Sequence, residues 1–104
     1  MLEVAMRATY SFGTLERLHG VVHGDVQGVG FRWFLMREGR RLGLRGWVRN
    51  RDDGTVEFVA EGSRMDLEKL KQAAERGPQT AEVERVEGRW SEATGGLDGF
   101  DLTG

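Results

Sequence analysis

The sequence predicts an α+β fold in which an antiparallel sheet is covered on one face by two helices. Segments with strand or helix periodicity follow one another in the order strand, helix, strand, strand, helix, strand. Glycines separate most of these segments. Sixteen of the 104 residues are glycine, and only one is proline. At this length we expect a single domain around one modest core.

The first half of the predicted fold is a strand, a loop and a helix. Residues 15–23 alternate in the way typical of a strand. Residues 24–30 then form a loop with three glycines. From Phe31 the apolar residues recur at helical spacing, which predicts an amphipathic helix ending near Gly43. A glycine inside a helix, such as Gly39, costs about 1 kcal/mol relative to alanine, so we expect tight packing at that position.

The second half begins with a hairpin and a helix. Two strand patterns, 45–50 and 55–61, are joined through Asp53-Gly54, a dipeptide typical of hairpin turns. Ser63 is expected to cap the second helix, and Gly77-Pro78 to end it.

The last elements are a strand pattern over residues 81–90 and a short closing strand over residues 100–102. With them, the order of elements is that of the ferredoxin-like βαββαβ sandwich. This fold supports many unrelated activities, so it does not by itself predict a function.

Composition limits the classes of protein to consider. Residues 1–14 show no periodicity and are expected to form an N-terminal extension, with the domain covering residues 15–104. No signal peptide or membrane span is visible. The absence of cysteine excludes disulfides, a thiolate nucleophile and sulfur-ligated metals. We therefore expect a cytoplasmic monomer, and the net charge of −2 gives no general reason for nucleic-acid binding.

The loop from Gly24 to Gly30, together with Arg32, is a candidate anion site. It lies between a strand and a helix N-terminus, where unpaired backbone N–H groups and the positive end of the helix dipole meet. Glycines let successive amides curve around an anion, and Arg32 can add bidentate hydrogen bonds to phosphate oxygens. The spacing fits neither a Walker A loop nor a dinucleotide-binding motif. An ordinary tight turn remains the alternative.

Asn50 is a second candidate, at the end of a predicted strand just before the turn. An asparagine in this position commonly bonds the local backbone. Alternatively, its amide can position a water molecule, because it carries both donor and acceptor groups.

Two motifs resemble the signatures of acylphosphatases: residues 24–32, GDVQGVGFR, and residues 46–57, GWVRNRDDGTVE. Their separation also fits the family, and the similarity runs from about Leu18 to the final Gly-Phe-Asp-Leu stretch. The resemblance implies a ferredoxin-like fold and metal-independent hydrolysis of acyl phosphates, without a cofactor. It assigns the catalytic roles to Arg32 and Asn50. It assigns phosphate binding to Arg32 and to the loop residues Asp25, Val26, Gln27, Gly28, Val29 and Gly30.

Two residues depart from the family pattern. Asp52 stands where relatives frequently have a proline or a polar residue, and the position of Asp25 is often basic in relatives. A carboxylate pointing into the site would weaken the binding of an anion. The chain has no cysteine for a phosphoenzyme and no histidine obviously placed as a base. Hydrolysis of an acyl phosphate is consistent with this, since its carboxylate leaving group needs no strong general acid. The resemblance implies that a water held by Asn50 attacks the phosphoryl group directly.

Several other residues and the element order admit further interpretations. His19 and His23 lie too far apart on a strand, roughly 13 Å, to share a metal, and we expect surface or packing roles for them. Trp33, Trp47 and Trp90 are expected in the core or on the sheet face. An RNA-recognition module would need exposed aromatics on its central strands. A non-catalytic accessory domain of the acylphosphatase type, or a structural role, is the remaining alternative.

Overall fold

The computed structural model describes residues 14–104, and its elements follow the predicted order. The elements are β1 Glu16–Asp25, α1 Phe31–Arg41, β2 Arg45–Asn50, β3 Val56–Gly62, α2 Arg64–Arg76, β4 Glu82–Glu92 and β5 Phe100–Leu102. The predicted extension falls almost entirely outside the described residues. No helix within residues 14–104 is long and apolar enough to cross a membrane.

The strands form one sheet in the order β4-β1-β3-β2-β5. β1 pairs antiparallel with β3 and β4, and β2 pairs antiparallel with β3. These four strands and the two helices confirm the ferredoxin-like prediction. The short β5 is parallel to β2 and adds an edge strand, a pairing that the sequence did not indicate. Because β1 and β2 both run opposite to β3, their carboxyl ends meet at the same edge of the sheet.

The core lies between the sheet and the two helices. Alternate residues of the central strands face the helices, as the period of two requires. The fully buried members of the core include Leu18, Val22, Val48, Val56, Phe58 and Ala60 from the sheet, and Phe31, Leu35, Leu67, Leu70 and Ala74 from the helices.

Two glycines make room for aromatic rings in this core. A Cβ atom at Gly20 would lie 2.3 Å from the ring of Phe58, and one at Gly39 would lie 2.6 Å from the ring of Phe100. The expectation that Gly39 marks tight packing is therefore confirmed. These close contacts hold β1 against β3 and α1 against β5.

Two of the three tryptophans are partly buried, as expected, and the third is exposed. Trp90 packs partly buried against the core, with the guanidinium of Arg64 3.5 Å from its ring centroid. Trp47 is half-buried on β2, with Arg49 over its ring at 5.5 Å. Trp33 is 57% exposed in the first turn of α1. Its expected place in the core or on the sheet face is wrong, because residue 33 points away from the side of α1 that covers the sheet.

Candidate active site

The loop after β1 and the end of β2 lie at the same edge of the sheet. Val22 of β1 pairs with Val56 of β3, and Val56 pairs in turn with Asn50 of β2. Adjacent strands are about 4.8 Å apart, so Asn50 lies roughly 10 Å across the sheet from β1, near where the loop begins. The fold thus brings together two segments that are separated by a helix in the sequence.

The loop reaches the helix through residues with a left-handed backbone. Gly28 and Gly30 have φ angles of +76° and +81°. Such angles are strained for residues with a Cβ atom, which explains why glycine occurs at both positions. Val29 lies between them and has an apolar side chain. Its carbonyl oxygen accepts a hydrogen bond from Thr80 Oγ1 at 2.8 Å.

The N-terminus of α1 is open to an anion. Gly30 is the capping residue and provides no side-chain hydrogen bond, and the first turn contains no acidic residue. The first N–H groups of a helix have no partner inside the helix, and the helix dipole places positive charge there. A phosphate group fits such a terminus well.

Arg32 lies in the first turn of α1 and is half-buried. At about 100° per residue it falls on the same side of the helix as the buried residues Met36 and Gly39, which face the sheet. Helical side chains lean toward the N-terminus, so this geometry directs Arg32 toward the loop. Within residues 14–104, the side chain of Arg32 forms neither a hydrogen bond nor an ion pair.

The other arginines between residues 32 and 51 differ from Arg32. Four of them hold carboxylates: Arg40 with Asp101, Arg41 with Glu38, Arg49 with Glu57, and Arg51 with Asp53. Arg37 and Arg45 have no such partner in the described part of the chain, but both are exposed. Only Arg32 in this segment is both half-buried and without a described carboxylate, which is the state expected of a guanidinium that binds a ligand.

Asn50 presents a buried acceptor at this edge. Its Oδ1 atom is buried and has no hydrogen-bond partner among residues 14–104. The side chain therefore does not use this oxygen to bond the local backbone, which was the alternative interpretation. A buried acceptor without a partner costs about 1–3 kcal/mol, so a water or a ligand is expected to supply the donor. Asn50 also lines an open groove together with the following turn residues.

Gln27 joins the loop to the turn that follows Asn50. Its Nε2 atom donates to the carbonyl oxygen of Arg51 at 2.7 Å and to that of Thr55 at 2.9 Å. The sequence assigned Gln27 to the loop but gave no sign of this contact, because the partners are 24 and 28 residues away.

The turn itself is held by short-range hydrogen bonds. Arg51 N donates to Thr55 O at 2.9 Å, and Asp53 Oδ1 accepts from the backbone N of Thr55 at 3.0 Å and from its Oγ1 at 2.5 Å. The hydrogen bond from the Thr55 hydroxyl, followed by that from its backbone, lowers the pKa of Asp53 below its usual value. Arg51 and His23 add smaller contributions in the same direction.

Asp25, one of the two residues that depart from the family pattern, is the last residue of β1 and is exposed. It pairs through the backbone with Glu82 of β4, and within the described residues its carboxylate forms no hydrogen bond or ion pair. Val26, which follows, is buried in the core. The loop is thus anchored by Val26, while Asp25 lies at the surface.

The two histidines each have a carboxylate partner of their own. His19 Nε2 lies 2.6 Å from Glu57 Oε2, and His23 Nε2 contacts Glu87 Oε1. Burial would raise the pKa of Glu57, but hydrogen bonds from His19 and Arg49 outweigh it and lower that pKa. No group of three or more potential metal ligands occurs within the described part of the chain. These contacts agree with the surface roles expected for the histidines.

An uncapped helix terminus, an arginine without a carboxylate partner among residues 14–104 and a buried amide acceptor thus lie at one edge of the sheet. The sequence profile of the acylphosphatase family matches residues 18–102. An acylphosphatase of Thermococcus kodakarensis is 52% identical over 88 residues, which are 85% of this chain and 96% of that protein. One from Salinibacter ruber is 49% identical over 88 residues, 85% and 93% of the two chains.

The solved structures give the same result. The crystal structure of acylphosphatase from Bacillus subtilis matches with a TM-score of 0.82 and 36% sequence identity, over 85% of this chain and 98% of that one. The chain belongs to the acylphosphatase family. The family and the class of enzyme expected from the sequence, a hydrolase of acyl phosphates, are confirmed at this level.

Proposed function

We propose that the chain hydrolyses acyl phosphates to a carboxylate and inorganic phosphate by direct attack of water on phosphorus. The observation that carries this mechanism is the buried, unpartnered Oδ1 of Asn50 at the edge that also carries the loop and Arg32. The scissile bond is the one between the carboxyl oxygen and phosphorus.

The phosphoryl group is bound by the backbone amides of residues 25–30 and by the guanidinium of Arg32. The open N-terminus of α1 adds positive potential at the same place. Arg32 stays charged at any working pH, and it can bond two phosphoryl oxygens at once. These groups stabilise charge on the equatorial oxygens in the transition state, where phosphoryl transfer most needs it.

The nucleophile is a water that donates a hydrogen bond to Asn50 Oδ1, which leaves a lone pair of the water free to face phosphorus. As the new P–O bond forms, the bond from phosphorus to the acyl oxygen breaks and the carboxylate leaves with the bonding electrons. The proton of the water passes to a phosphoryl oxygen. No general acid is needed, because a carboxylate is a stable leaving group.

We also propose that residues 15–104 are the catalytic unit and that it acts as a cytoplasmic monomer without a metal. The bounds of the catalytic unit are supported by the match of the family profile from residue 18, two residues after β1 begins. Metal independence is supported by Arg32, which supplies the positive charge that a metal ion provides in other phosphoryl-transfer enzymes. Activity that survives chelation would agree with this, whereas activity restored only by a divalent ion would contradict it.

The test follows benzoyl phosphate hydrolysis by ultraviolet absorbance. Wild type should turn over in the presence of a chelator. Asn50→Ala should lower kcat by at least roughly a hundredfold, because the water loses its orientation. Inhibition by inorganic phosphate should remain within about threefold, because the loop and Arg32 are intact. Hydrolysis in ¹⁸O-labelled water should place the label in phosphate, and label in benzoate would contradict attack at phosphorus.

The accessory-domain alternative predicts a different result in the same experiment. A wild-type protein that binds inorganic phosphate but does not turn over benzoyl phosphate would favour it. The RNA-recognition alternative has no structural support, because Phe58, the aromatic residue of central strand β3, is fully buried.

A further inference from the structure

The two halves of the proposed site lie on strands that do not pair with each other. β3 separates β1 from β2 in the sheet, the loop leaves β1, and Asn50 ends β2. Water attack requires a separation between the bound phosphoryl group and the water that is correct to within a fraction of an ångström. The loop is anchored by the buried side chain of Val26 and by Thr80 through the carbonyl of Val29, but neither contact reaches the end of β2.

Gln27 spans this gap. Its half-buried side chain donates both N–H groups of its amide, to the carbonyls of Arg51 and Thr55 at 2.7 and 2.9 Å. The orientation of the amide is determined by its partners, because carbonyl oxygens only accept and therefore require the nitrogen. Arg51 directly follows Asn50, so the hydrogen bond acts one residue from the water-binding amide.

The turn that Gln27 contacts is itself closed by hydrogen bonds. The bond from Arg51 N to Thr55 O closes it, and Asp53 Oδ1 fastens Thr55 from the other side. A displacement of the loop is thus transmitted to the end of β2 rather than absorbed in the turn. We propose that the side chain of Gln27 is a positioning residue, which fixes Asn50 and its water relative to the phosphate bound by the loop.

This inference rests on the proposed function and separates the two tasks of residue 27. Its backbone amide belongs to the phosphate loop, whereas its side chain acts on the water through the turn. Loss of the side-chain hydrogen bonds should therefore lower kcat and leave phosphate binding nearly unchanged. Loss of Arg32 should weaken phosphate binding as well.

The first test compares Gln27→Met with Thr80→Val, using benzoyl phosphate turnover and inhibition by inorganic phosphate. Methionine keeps the length of glutamine but has no hydrogen-bond donor. Thr80 serves as the control because it also holds the loop, through the carbonyl of Val29, but makes no contact that leads to Asn50. Gln27→Met should lower kcat about 30-fold or more with phosphate inhibition within about threefold, whereas Thr80→Val should keep kcat within about threefold.

The second test is Gln27→Glu, which tests the positioning role of the side-chain donor even if the methionine variant fails to fold. The carboxylate faces two carbonyl oxygens and repels them, but a protonated carboxyl group regains one O–H donor. The kcat of this variant relative to wild type should therefore rise as pH falls through the pKa of the new side chain.

Three results would overturn the inference: unchanged kcat in Gln27→Met, a loss of phosphate inhibition as large as that of Arg32→Ala, or a pH-independent ratio for Gln27→Glu. These outcomes differ from a failure of the proposed function, in which wild type itself does not turn over benzoyl phosphate.

Discussion

The buried carboxylate of Glu61 should stabilise the fold strongly while contributing nothing to catalysis, and Glu61→Gln tests this. Glu61 is 6% exposed at the end of β3. Its Oε2 accepts hydrogen bonds from Arg17 Nη1 at 3.1 Å and from Thr94 N and Oγ1 at 2.9 Å each. Its Oε1 accepts from Gly95 N at 3.1 Å. This carboxylate fastens the segment after β4 to the centre of the sheet.

The expected magnitude follows from these four bonds. A glutamine offers one acceptor oxygen, so its NH₂ group must face at least the N–H of Gly95, which then has no acceptor. A lost hydrogen bond to a charged acceptor costs about 1.5–3 kcal/mol, and the lower end of this range applies here because Gly95 is exposed; the lost ion pair with Arg17 adds up to about 1 kcal/mol. We expect a loss of about 1.5–2.5 kcal/mol in the free energy of unfolding, which corresponds to about 6–20 °C in Tm, at about 4–8 °C per kcal/mol for a domain of this size.

The assay is urea unfolding at pH 7 and pH 3, with Glu92→Gln as the control. Glu92 is exposed on β4 and its side chain has no hydrogen bond or ion pair within the described residues, so its variant should stay within about 0.5 kcal/mol of wild type. Burial would raise the pKa of Glu61, but the bonds from Thr94 and Gly95 and the charge of Arg17 lower it.

This direction of the pKa shift fixes the pH dependence. A folded-state pKa below the unfolded value contributes stability above about pH 5, and this contribution is lost as pH falls through the folded pKa. The difference between wild type and Glu61→Gln should therefore shrink at pH 3. Glu61 lies five residues along β3 from Val56, about 17 Å, so kcat should not change. Equal stability of the two proteins at pH 7, or a lowered kcat in the folded variant, would refute this account.

Three further predictions concern packing, charge and domain bounds. Gly20→Ala should destabilise the fold by about 1–3 kcal/mol in thermal unfolding, because its methyl group meets the ring of Phe58 at 2.3 Å; unchanged stability would show that the ring moves freely. Arg40→Ala removes a hydrogen bond to the carbonyl of Phe100 at 2.9 Å, so it should lower Tm slightly and leave phosphate inhibition unchanged. Removal of residues 1–13 should leave kcat within about twofold, and a larger loss would place part of the site in that segment.

The sequence predicted what depends on local chemistry. Strand and helix periodicity gave the order of elements, and the cap of α2 at Ser63 was visible from the residue type, since its Oγ accepts from Asp66 N at 3.2 Å. The loop glycines and Arg32 were recognisable because a helix N-terminus needs no distant residue to bind an anion.

What the sequence did not predict depends on contacts between distant residues. Nothing in the sequence singles out Glu61 as a buried residue, because its partners Thr94 and Gly95 are 33 and 34 residues away. The contact of Gln27 with the turn and the parallel pairing of β5 with β2 are of the same kind. No periodicity records such contacts, since they are set by the way the elements pack.

The role of Arg32 in binding the phosphoryl group is tested by kcat/KM for benzoyl phosphate in Arg32→Ala and Arg37→Ala. Both residues lie on α1 and neither has a described carboxylate partner, but Arg37 is exposed and lies beyond the first turn of the helix. Arg32→Ala should lower kcat/KM by roughly 100-fold to 1,000-fold and abolish phosphate inhibition, whereas Arg37→Ala should stay within about twofold of wild type. Equal activity of the two variants would contradict the assignment of the phosphoryl site to the loop and Arg32.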